Sequence, residues 1–204
     1  MAVLPMFPLG TVLLPHMVLP LHVFEPRYRT LMHDVMDGGR EFGVVLISRG
    51  HEVGGDDQRY TVGTVARVLE AEELEDGRWL VVTVGTRRVR VERWLPDDPY
   101  PVAETTAFDE PGIAGEPLPG DLTARLRHVL AMQAELGREG APATLAFAED
   151  PATAAWQAAV LAPLNPLDAQ RVLETASLAA RADLLGRLLA EIEQTLELEL
   201  IQGE

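Results

Sequence analysis

Arginine is the only basic side chain available for chemistry in this chain. All 17 basic residues are arginine and none is lysine. A P-loop lysine, a Schiff base and a Ser–Lys dyad are therefore excluded. Cysteine is absent as well, which removes disulfides, thiol nucleophiles and cysteine metal sites. Serine occurs only as Ser48 and Ser177, and neither sits in a G-x-S-x-G elbow. His16, His22 and His33 match no zinc spacing, so no metal and no cofactor is expected. Asp56-Asp57 and the acids from Glu70 to Asp76 lack the D-x-D-x-D-G order of a calcium loop and read as solvated loop and hairpin tip. Arg87, Arg88, Arg90 and Arg93 form the one basic cluster. On a strand they divide between two faces, a poor track for phosphates. The formal charge of −15 also disfavours nucleic acid as the main partner.

These residues need elements to carry them, and 204 residues can bury a real core. No charged residue precedes Glu25, yet Pro5, Pro8, Pro15 and Pro20 interrupt any membrane helix there. A signal peptide also lacks its basic start. Short strands over Val3–Phe7, Val12–Leu14 and Met17–Phe24 are expected instead, in a cytoplasmic protein. Glu25-Pro26 opens a helix that Gly38-Gly39 stops. Phe42–Ser48 reads as a buried strand, His51–Gln58 as a loop, and Tyr60–Leu74 and Arg78–Leu95 as long strands. Asp76-Gly77 between them signals a hairpin. A two-residue loop would set Leu74 opposite Trp79 and Glu72 opposite Val81. Leu69, Ala71, Leu80, Val82 and Val84 would then face the core. Pro101–Phe108 reads as a further strand.

Residues 110–120, EPGIAGEPLPG, read as a linker between a β-rich part, 1–109, and a helical part, 121–204. The second part holds 19 alanines and only two aromatics, the composition of packed helices. One helix should run from Asp121 to Leu136 and close at Gly137. Asp150-Pro151 and Asn165-Pro166 start two more, ending near Leu161 and Glu174. Ser177 caps a last helix reaching about Ile201. Its stripe of Leu178, Ala182, Leu185, Leu189, Ile192 and Leu196 marks a core face, or failing that the seam of a weak homodimer.

Several segments together resemble the Lon N-terminal, or substrate-binding, domain family. They are PMFPLGTVLLPHMVLPLHVFEPRYRTLM over residues 5–32, VGTVARV over 62–68, GTRRVRV over 85–91, and LAPLNPLDAQRVLET before the last helix. FEPRYR is the most specific. The resemblance implies an α+β chain: a twisted, β-rich, PUA-like subdomain with one helix, then a helical bundle ending in a long helix. It implies a stand-alone, non-catalytic module for unfolded polypeptide, without the family's ATPase and protease modules. The partner it implies is a separate protease or chaperone. Phe24, Glu25, Arg27, Tyr28 and Arg29 match the family signature and are the candidate contact residues. Each has a structural alternative, since Glu25 meets the helix dipole and arginines tie helices to sheets. The PUA-like fold raises an RNA-binding module as the other reading.

Overall fold

A computed structural model describes residues 1–49, 58–109, 120–138, 141 and 146–202. The chain divides into two compact units, Met1–Asp109 and Glu110–Glu204. Of the expected loop His51–Gln58, residues 51–57 lie outside the described residues and Gln58 already belongs to a strand, and most of the expected linker lies outside them as well.

The first unit contains six strands and one helix among its described residues. The strands are β1 (Ala2–Leu9), β2 (Val18–Val23), β3 (Glu41–Arg49), β4 (Gln58–Glu73), β5 (Trp79–Leu95) and β6 (Val102–Ala107), with α1 (Pro26–Asp37) between β2 and β3. They order as β2-β5-β4-β3-β1-β6, and β6 returns to pair with β5, so the sheet closes on itself. Closure depends on strands that change partner. β1 pairs with β6 over Ala2–Pro5 and with β3 over Met6–Leu9. β5 pairs with β2 over Trp79–Val84 and with β6 over Val89–Leu95. Pro5 and Pro8 fit in β1 because each half ladders mainly along one edge. α1 buries Tyr28, Leu31, Met32 and Val35, the i, i+3, i+4, i+7 stripe of an amphipathic helix. That stripe meets Phe7, Val23, Phe42 and Trp79 in the core.

Two expectations fail here. Val12–Leu14 is not a strand, although all three side chains are buried. The chain just beyond it is held on β5 by isolated hydrogen bonds around Gly85, His16 N–H donating to the Gly85 carbonyl at 2.8 Å and the Gly85 amide to the Met17 carbonyl at 2.9 Å. A side chain at Gly85 would collide with the Leu14 carbonyl, so bare backbone is what lets the segment dock. The hairpin register also differs. Glu73 pairs with Trp79 and Glu72 with Leu80. The Leu74 amide donates to the Arg78 carbonyl and the Gly77 amide to the Leu74 carbonyl, while Gly77 takes φ +77. This is a three-residue turn whose left-handed glycine closes the loop. The one-residue difference turns Trp79, Val81 and Thr83 inward and Leu80, Val82 and Val84 outward, the reverse of the expected faces. Leu69, expected inside, is 49% exposed.

The second unit has four helices among its described residues: α2 (Gly120–Glu135), α3 (Pro151–Leu161), α4 (Pro166–Leu173) and α5 (Leu178–Gln202). α5 packs against all three others. Asp150 caps α3 through the Thr153 amide, Asn165 caps α4 through the Asp168 amide, and the Ser177 hydroxyl accepts from Ala180. The buried face of α5 is wider than the expected stripe. Arg181, Leu184 and Leu188 join Ala182, Leu185, Leu189 and Leu196. A face that wide, covered by three helices of the same chain, is core packing.

Candidate functional site

β2 ladders only with β5, so its outer edge is free among the described strands. Along that edge runs a groove of about 210 Å³. Phe7 and Leu9 of β1 line one wall, Pro20 to Val23 of β2 the other, and Phe24, Glu25 and Tyr28 close the end. The groove exists because β1 and β2 do not pair and α1 starts between them. Its lining is mainly apolar, and Phe24 at its rim is 52% exposed.

The five candidate residues of FEPRYR divide into different roles. Phe24, Glu25 and Tyr28 meet at the groove. Tyr28 is buried and stacks on Phe7 with ring centroids 4.1 Å apart. Arg27 lies 4.5 Å over the Tyr28 ring and donates Nε–H to the Glu25 carboxylate at 3.2 Å. That bond fixes Glu25 beside the groove mouth. Arg29 points away, to the β4–β5 hairpin, where its guanidinium occupies the space a side chain at Gly77 would need. It ties α1 to the hairpin tip. Tyr100 adds a second tie, its hydroxyl donating to Asp34 at 2.6 Å. Burial and that bond push the Tyr100 hydroxyl up to about 12. The groove walls from β1 are invisible in the motif, since Phe7 and Leu9 reach it only through the closure of the sheet. The apolar excess before Glu25 is the one sequence signal for them.

The basic cluster is largely engaged. Arg87 pairs with Glu41 at 2.8 Å and Arg93 with Glu104 at 2.6 Å. Arg88 is buried over the Phe108 ring, and burial lowers its guanidinium to about 10. Arg90 faces the same ring at 4.6 Å. Among the described residues, no group of three or more His, Asp or Glu is placed to hold a metal ion. His16 lies on a loop, His22 on β2 and His33 on α1 beside Glu73. No described helix is long and apolar enough to cross a membrane.

A PUA-like closed β unit with one helix among its described residues, and a bundle ending in a 25-residue helix, define an α+β class of two-part domains. The family model of the ATP-dependent protease La (LON) substrate-binding domain matches residues 3–191. The chain belongs to this family. A crystal structure of a Lon N-terminal domain protein from Xanthomonas campestris superposes with a TM-score of 0.67 at 30% identity, covering 93% of this chain and 98% of that one. The N-terminal domain of a Mycobacterium avium complex Lon protease shares the fold at 20% identity and a TM-score of 0.61, covering 95% of this chain and 98% of that one. The Lon protease of Brevibacillus choshinensis is 30% identical over 205 residues, 96% of this chain and 26% of that protein. The Lon protease of Anaeromyxobacter dehalogenans is 31% identical over 97% of this chain and 24% of its own length. The chain thus spans about a quarter of the curated relatives it matches.

Proposed function

We propose that this chain is a non-catalytic, cytoplasmic module that binds exposed segments of non-native polypeptide. It works as a monomer or weak homodimer beside a separate protease or chaperone. The observation that carries this reading is the apolar groove at the free edge of β2, ending on the half-exposed Phe24. An open strand edge offers unpaired backbone groups, and the groove beside it offers apolar contact, the two parts of recognition by strand addition. Phe24, Glu25 and Tyr28 form the contact end, with Arg27 positioning Glu25. Pro20 withholds one donor from the edge, which limits runaway pairing between copies.

The affinity should be on the order of micromolar or weaker, because a single open groove must offset the ordering of the bound segment. Titration of a labelled unfolded protein and a labelled single-stranded RNA, each at low and moderate salt, tests the reading. Binding of the unfolded chain that persists at moderate salt is expected, as is its weakening in Phe24→Ser without loss of thermal stability. Tight, steeply salt-dependent RNA binding with no binding of any unfolded chain would replace this reading with an RNA-binding one.

A further inference from the structure

The outward face of the β2-β5-β4 arm is apolar where the fold has no use for it. Directly paired residues of an antiparallel sheet share a face. Val18 pairs with Val84, Pro20 with Val82, and His22 with Leu80. All lie on the face opposite Trp79 and Val81, which fill the core. Val18 is 56% and Leu80 45% exposed, Pro20 is exposed, and Val82 and Val84 are half-buried. On β4 the same face continues as Glu70, opposite Val82, and Glu72, opposite Leu80. Among the described residues, neither Glu70 nor Glu72 makes an ion pair. The arginines around them are occupied: Arg67 binds Glu41 at 2.9 Å and Arg78 binds Asp76 at 2.7 Å. The result is a row of apolar side chains on two strands, edged by two uncompensated carboxylates on the third.

We infer that this face docks an extended polypeptide segment that turns apolar and basic side chains together toward it. The inference rests on the proposed function, adds a second surface that continues from the groove through Pro20 and His22, and specifies the polypeptide's chemistry. Leu80, Val82 and Val84 recur every second residue, roughly 7 Å apart, as Glu70 and Glu72 do. An extended segment laid along the strands turns every second side chain toward the face at the same repeat, so apolar members of that set meet the row on β2 and β5 and long basic members reach the acids on β4. A helix repeats at about 5.4 Å and loses register after one turn. The charge also selects against other occupants. A second copy of this face would bring its own Glu70 and Glu72, and anionic lipid or nucleic acid would meet like charge. Basic side chains on an apolar segment alone gain from both parts of the surface.

The test uses the whole chain and three labelled peptides with one apolar pattern, in which Arg, Ser or Glu stands among the side chains turned toward the face. The wild type should bind the Arg peptide about five- to tenfold more tightly than the Glu peptide at low salt, and moderate salt should narrow that ratio. The double variant Glu70→Arg, Glu72→Arg should invert the order. Leu80→Ser should weaken binding of all three peptides. Thermal melts establish that each variant is folded, which the exposure of all three sites favours. Hydrogen exchange of Leu80 to Val84 side-strand amides and of Val18 to His22 should slow on binding. Equal affinity for the three peptides, or an order untouched by the double variant, would overturn the inference while leaving polypeptide binding intact. Concentration-dependent self-association that protects the face would assign it to a second copy instead and equally overturn the inference. Failure of every peptide and of unfolded protein to bind removes the functional reading, and this inference with it.

Discussion

The two units of this chain reach a folded core by opposite means. The β unit packs large rings and sulfur, with Phe7, Tyr28, Phe42, Trp79 and Met32 in one cluster, and closes its sheet through strands that change partners. Its backbones approach so closely that some positions have no space for a side chain. The helical unit packs Ala154, Ala155, Ala158 and Ala159 beside a leucine face on α5. Its helix ends are fixed by local caps. The barrel is therefore specified by single positions at which only one residue type fits, and the bundle by an apolar average with correct ends. A single change should be far more costly at the right place in the first unit than at the corresponding place in the second.

The largest effect tests this difference directly. Gly63 sits between β3 and β5, paired with Val45 on one side and Val89 on the other. A Cβ there would lie 2.2 Å from the Val44 carbonyl oxygen and 2.7 Å from Val45 Cγ1. Neither backbone can retreat without breaking a ladder, so Gly63→Ala should cost about 4 kcal/mol, measured by denaturant unfolding. A loss below about 1 kcal/mol would show that the barrel breathes and that the contrast is overstated. Next comes Leu185→Ala in α5. Leu185 is fully buried among the helices, and a cavity there should cost about 3 kcal/mol. Leu198, 60% exposed on the same helix, serves as the control that should change little.

Smaller effects sharpen the description of the helical unit. Asn165 accepts from the Asp168 amide at 2.9 Å and donates to its carboxylate at 2.7 Å. Asn165→Ala removes both and should cost about 1 kcal/mol by thermal melting. Gly186 in α5 is the counterpart of Gly63, because a Cβ there would meet nothing within 4 Å. Gly186→Ala should stabilise the protein by about 0.5–1 kcal/mol, through helix propensity and lost unfolded-state freedom. A destabilised Gly186→Ala protein would mean that the bundle, too, has positions reserved for glycine.

The same difference decides what the sequence makes legible. Helix starts at Asp150-Pro151, Asn165-Pro166 and Glu25-Pro26 are local events, completed within three or four residues, and all three are where the sequence places them. The hairpin at Asp76-Gly77 is local too, yet its register turns on whether glycine is the second residue of a two-residue loop or the left-handed third of a longer one. Both loops suit the same dipeptide. Because side chains alternate faces, that one residue exchanged the core and solvent faces of β5, while Ala71 of β4 stayed toward the core and Glu70 and Glu72 toward solvent. Apolar periodicity gave no warning, since Trp79, Val81 and Leu80, Val82, Val84 are apolar on both faces. At the candidate site the motif marked the right segment, but its division of labour is tertiary. Phe24 is half-exposed at a groove rim, Tyr28 is core, and Arg29 belongs to the hairpin tip only because the sheet brings Gly77 beside it.

The smallest expected effect concerns charge, and it sits in the β unit. Glu41 at the start of β3 accepts from Arg67 at 2.9 Å and from Arg87 at 2.8 Å, joining β3 to β4 and β5. Burial alone would raise its carboxyl. The two guanidinium bonds and their charge outweigh burial, so the pKa lies below the ordinary 4.5. Glu104 beside Arg93 is held low in the same way, by the bond Arg93 donates. A carboxyl whose folded pKa is depressed stabilises the fold fully above its unfolded pKa, and that contribution disappears as pH falls through the folded value. Glu41→Gln should therefore lower the Tm slightly near neutral pH, by an amount that shrinks below about pH 4.5 and vanishes in stronger acid. Both arginines are about half exposed, so water solvates them in the variant and the loss stays small. Melting curves of the two proteins between neutral pH and pH 3 decide the point. A constant difference across that range would mean that Glu41 acts through packing, and that charge contributes no more to holding the barrel strands together than it does to the bundle.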